Sequence, residues 1–197
     1  GVGFDSTDGN VPSSITEASA FIAAYAAEAH GAGDKGADLV FGTSVINDDD
    51  DTASTEHVRI LDSGLVGIGT DSPTAKLEIE QGSSGGQIAF KIDNDDTDKI
   101  AMSVEAANID ADVISITADA VTTANVINIT ADGLTSGDAI SIVSDSDDTT
   151  ARALVKLTND NTSATGTSML ELDQDSTGDL ITANYGANGS AVALKVK

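Results

Sequence analysis

Beyond Gln87 the chain alternates apolar and small polar residues in short runs, separated by Asp, Asn, Gly, Ser and Thr. Such period-two runs predict strands with one aliphatic side and one polar side. They fall at 88–92, 100–104, 113–117, 126–130 and 139–143, with looser copies at 153–158, 169–173, 180–183 and 191–196. The segments 113–125 and 126–138 are near-copies. Ile114, Ile127 and Ile140 therefore recur every 13 residues, as do Ile116, Ile129 and Ile142. Each run offers two or three side chains to a core, too few for a strand to stand alone. Stability then has to come from stacking unit on unit. A 13-residue unit is short for a coil that closes within one chain. It predicts one strand and a passage to a neighbouring face, with three chains completing the cross-section. The competing arrangement is an antiparallel meander in a monomeric sandwich.

Ahead of the repeat the pattern changes. Residues 1–15 are rich in Gly, Asp and Ser and predict an irregular arm. Residues 16–30 are alanine-rich and predict the one helix of the chain, since alanine is the best helix former. Ser14 or Thr16 would cap it, Glu17 would sit at its positive end, and Gly31 would stop it after His30. Phe21, Ile22 and Tyr25 would form its apolar face. Residues 38–46 predict one or two strands broken at Gly42, ended by the acidic run Asp48–Asp51.

Between these regions lies the segment 59–79, which reads as strand, glycine corner, strand, then a proline turn into a third strand. Gly64, Gly67 and Gly69 supply corners that a Cβ would resist. Pro73 ends one element before Leu77 and Ile79 resume alternation. A dinucleotide loop would need a third glycine where Ser72 stands and a helix where Pro73 stands, so this is not a nucleotide site. With Arg59, Ile60, Val66, Ile68 and Thr70, these residues resemble a motif of the shafts of bacteriophage tail fibres and tailspikes. The resemblance implies a trimeric β-rich shaft in a virion appendage; the motif also occurs in bacterial surface proteins. It covers about 20 residues and leaves the region before Arg59 unexplained.

Composition narrows the functional classes. Aromatic residues are 3% of the chain and Trp is absent, so any core is made of small aliphatics. The formal charge of −24 repels nucleic acid and anionic membranes and keeps a long exposed assembly soluble. No cysteine is present, which excludes disulfides and thiolate metal sites. No apolar run reaches the length of a membrane span. His30 and His57 are the only histidines, and neither sits in a catalytic pattern. Ser and Asp are abundant everywhere, which leaves no specific triad or carboxylate pair. Asp93, Asp95 and Asp98 have the spacing of the opening of a calcium loop, but the later glycine and distal glutamate are missing. Asp and Asn are also ordinary turn residues.

The reading is of a mainly β protein: a solenoid-like or intertwined trimeric shaft with one short N-terminal α-helix. The expected parts are a head at 1–58, the glycine-corner motif at 59–86 and a β-repeat shaft at 87–197. The chain opens on Gly1 and closes on an alternating run at 191–196, so the natural protein is expected to continue. The expected role is structural and non-enzymatic, without a cofactor, in a virion or outside the cell. Expected partners are further copies, in a homotrimer or a higher homo-oligomer, and other virion or filament subunits. The alternatives are an adhesin that binds a host-surface glycan or receptor through 81–86 and 184–190, and a self-assembling microbial surface filament.

Overall fold

The computed structural model describes residues 1–4, 14–46, 52–82, 86–107, 110–145, 153–160, 162–164, 167–175, 177–178 and 180–181. The acidic run Asp48–Asp51, the loop 184–190 and the strand expected at 191–196 lie outside these residues. Two compact units divide at Val113 and Ile114.

The first unit contains one six-stranded sheet in the order β1 to β6: Val2–Phe4, Ala20–Ala26, Ala37–Thr43, Thr55–Ile60, Val66–Ile68 and Leu77–Ile79. β1 to β5 form an antiparallel meander, and β6 adds parallel to β5. The mainly β character agrees with the sequence. The sheet is open, with β1 and β6 as its edges.

The expected helix at 16–30 is not formed. Ile15–Glu17 make a single 3-10 turn, and Ala20–Ala26 are β2. The capping signal is real, because the Ser14 amide donates to the Glu17 carboxylate at 3.0 Å, but it closes only that turn. Alanine's helical preference is a fraction of a kcal/mol per residue. Against it stand full pairing of β2 with β3, from Ala20↔Thr43 to Ala26↔Ala37, and burial of Phe21 and Ala23. These two residues are on one face only in a strand.

β3 also differs from expectation, since it runs through Gly42 to Thr43 without a break. The irregularity lies opposite, where Phe41 pairs with Val58 and Gly42 with Glu56, leaving His57 as a bulge. The Phe21 ring occupies the space that a Cβ on Gly42 would need. Glycine here makes room for the ring.

Strand pairing sorts side chains onto two faces. One carries Phe21, Ala23 and Val40, a small core against which Ile15 packs. Ser54 ties this layer together: its hydroxyl donates to the Ala18 carbonyl and its amide to the Thr16 carbonyl. The opposite face is aliphatic. Ile22, Phe41, Val58, Ile68 and Ile79 align in one row across β2 to β6, and Ala24, Leu39, Ile60, Val66 and Leu77 in the next.

In the second unit the repeat is present as local conformation. The Val121 amide donates to the Ala118 carbonyl at 3.2 Å, and 13 residues later the Leu134 amide donates to the Ala131 carbonyl at 3.1 Å. Exposure repeats as well: Ile114, Ile127 and Ile140 are 65%, 66% and 65% exposed. Yet no strand is formed among the described residues beyond Ile79. Strand pairing between successive units is therefore not observed among the described residues. A run without strand pairing, whose isoleucines stay more than half exposed, gains little from its own neighbours.

Candidate functional site

The glycine-corner segment and the residues around Arg59 form a continuous structured region of the sheet. β4 and β5 are joined by a tight turn in which the Gly64 amide donates to the Leu61 carbonyl at 2.8 Å and the Leu61 amide to the Leu65 carbonyl at 2.9 Å. Gly64 has φ 75°, in the left-handed region that favours glycine.

From β5 to β6 the chain must return to run parallel, which normally takes a crossover of a dozen or more residues. Here residues 69–76 suffice, because the connection folds flat across the sheet. Pro73 is buried, and Thr70 and Pro73 sit where a Cβ on Gly67 would project. Gly69 turns the corner with φ 79°, close against the Glu80 backbone. Hydrogen bonds from the Val66 amide to the Lys76 carbonyl (3.0 Å) and from the Glu80 amide to the Ile68 carbonyl (2.9 Å) close both ends. The Glu78 carboxylate clips the loop by accepting from the Thr74 amide and hydroxyl at 2.7 and 2.9 Å. The Thr74 amide, then its hydroxyl, hold the Glu78 carboxyl below its usual pKa.

Arg59 anchors the packed face. Its Nε and Nη2 donate to the two Glu56 oxygens at 2.7 and 2.6 Å, and Nη1 donates to Asp38 Oδ2 at 3.0 Å. The other Asp38 oxygen accepts the Asp62 amide at 3.0 Å. The guanidinium carbon lies 5.7 Å from the Tyr25 ring centre, within cation–π range. Exposures of 20% for Arg59 and 12% for Asp38 place this pair well inside the surface. Bonding to Glu56 first, and then to Asp38, holds the guanidinium pKa above its ordinary value, while burial opposes the shift.

The sequence singles out Arg59 as a member of the motif but does not single out Asp38, Glu56 and Tyr25 as its partners. An aspartate opening the apolar run of β3, on the same side as Val40, was the available signal for Asp38. Tyr25 was hidden by the helical reading of its segment.

Asp93, Asp95 and Asp98 are exposed and do not converge. Asp93 pairs with Lys91 at 2.6 Å and Asp98 with Lys99 at 3.1 Å. Asn94 and Asp96 side chains accept the amides of Asp96 and Asp98, the hydrogen bonds of ordinary turns. Among the described residues no group of three or more acidic or histidine side chains is placed to hold a metal. His30 bonds to the Gly36 carbonyl oxygen at 3.0 Å and His57 to Thr43 Oγ1 at 2.9 Å. No helix among the described residues is long and apolar enough to cross a membrane.

No protein family and no curated protein sequence matches this chain.

Proposed function

We propose that this chain is a structural subunit of an extracellular fibre, most specifically a segment of a phage tail-fibre shaft assembled from three copies. The carrying observation is the repeat. Residues 113–142 place equivalent isoleucines and equivalent turns every 13 residues, with the isoleucines exposed in the single chain. Burying such side chains is worth roughly 1.5–3 kcal/mol each. One chain leaves that energy unrealised, and two further chains with the same register complete the cross-section. The open backbone of each run finds its hydrogen-bond partners in the same step. The motif at 59–79 favours a virion appendage over other fibres.

Light scattering of the full chain is expected to return three times the chain mass, and electron microscopy to show rods. A compact monomer would overturn the reading. Trimers that join end to end into unlimited polymers, with labelling of cell-surface filaments in place of phage tails, would overturn the virion part alone.

A further inference from the structure

We infer that the aliphatic face of the six-stranded sheet is the surface through which the heads of separate copies pack together, so that each sheet supplies one side of a core shared by all the heads of the assembly. This rests on the multi-copy fibre reading above and adds to it a second, separate contact between chains.

The face is set by register. Side chains directly opposite across paired strands share a face. Two complete rows, one running from Ile22 to Ile79 and the other from Ala24 to Leu77, carry only aliphatic or phenyl side chains across five strands. Val2 extends the first row onto β1. A sheet with one apolar face has to bury it against another layer. Within this unit the 3-10 turn and the 69–76 connection both cover the other face. Phe41 and Leu77 stay 36% and 56% exposed. An apolar depression of about 230 Å³ opens on the same side beside Ile22, Phe41, Thr43 and His57.

Charge and area together select a second copy as the occupant. The chain carries 33 acidic and 9 basic residues, yet none of them lies in either row. Copies of a −24 chain repel one another over most of their surface. This uncharged face is where they meet without opposing carboxylates. Five strands about 4.8 Å apart and two rows of side chains span on the order of 300–400 Å². Two such faces together bury about 600–800 Å², below the roughly 1,200 Å² of a stable association between free partners. An unlinked protein would therefore dissociate readily. A copy already held by the shaft arrives at high effective concentration, and the small face is then sufficient.

The test is hydroxyl-radical footprinting of the full wild-type chain, with its mass measured in the same sample. Tyr25, 38% exposed on the opposite face, is the internal reference for Phe41 at 36%. In a multi-copy particle, Phe41 and Leu77 are expected to oxidise at least five-fold more slowly than their single-chain exposure dictates, and Tyr25 at its single-chain rate. A multi-copy particle in which Phe41 and Tyr25 react alike would overturn this inference and leave the fibre reading standing. A monomer would overturn both. A Leu77→Cys variant carrying a photocrosslinker, the only thiol in the protein, identifies what covers the face. Capture of a second copy is expected, and crosslinks confined within one chain would overturn the inference.

Discussion

Arg59 Nη1 lies 3.0 Å from Asp38 Oδ2, joining β4 to β3 on the packed face while the rest of the same guanidinium grips Glu56. The pair makes β3 and β4 one unit just before the chain enters the glycine corner. Removing one member of a largely buried charged pair leaves the other without its partner. Arg59→Ala is therefore expected to lower the stability of the head by about 2 kcal/mol, within the range for hydrogen bonds to charged groups. Arg59→Lys keeps the charge and loses the planar fork, so it should recover less than half of that. Urea denaturation of each variant measures both; equal stability of Arg59→Ala and wild type would mean that the network is ornamental.

The three motif glycines should differ in their cost of substitution. Gly67→Ala drives a methyl into the Thr70 carbonyl and the Pro73 ring, an overpacking worth about 1–3 kcal/mol. Gly69→Ala adds a backbone clash with Glu80 to an unfavourable φ and is expected to be the most damaging. At Gly64 only Lys76 Nζ is near, at 3.9 Å, so alanine suffers the left-handed backbone alone, about 1–2 kcal/mol. Gly64→Asn should lose less than Gly64→Ala, since asparagine tolerates that region. Thermal melts of the four variants give the order.

Glu78 supplies a pH dependence of known sign. Its folded pKa lies below its unfolded value, because Thr74 donates to the ionised form. The clip on the loop is therefore fully present above the ordinary glutamate pKa and is lost as pH falls through the lowered folded value. The protection of the Thr74 amide against exchange, taken relative to its intrinsic rate at each pH, should fall across that acid window in wild type. In Glu78→Gln the acid step should vanish. An unchanged step in the variant would assign the titration to another group.

In the repeat, Ile127→Ala separates an exposed surface from an interface. A substitution at a position that stays in water typically changes stability by less than about 0.5 kcal/mol. If the isoleucine rows are buried between copies, each copy should lose about 2 kcal/mol or more, and the melting temperature of the assembly should fall while its head remains folded. Calorimetry of the full chain distinguishes the two outcomes. A melt identical to wild type would remove the repeat as the basis of assembly.

What was legible in the sequence was short-range. The glycine corner, the turn at Pro73, the strands at 59–79 and the 13-residue spacing all depend on backbone sterics and alternation acting over a few residues. What the sequence alone did not reveal depends on distant partners. Ala20–Ala26 carries a local preference for helix, and only the β3 strand beside it, with Val40 and Gly42 receiving Ala23 and Phe21, makes it a strand. The side of the sheet facing Asp38 was settled the same way, by pairing between residues far apart in sequence. Alternation in the repeat announced a strand-like surface, but pairing needs a second strand. Within the described residues of one chain, that strand is absent, so the same alternation forms a sheet in the head and leaves isoleucines exposed in the repeat.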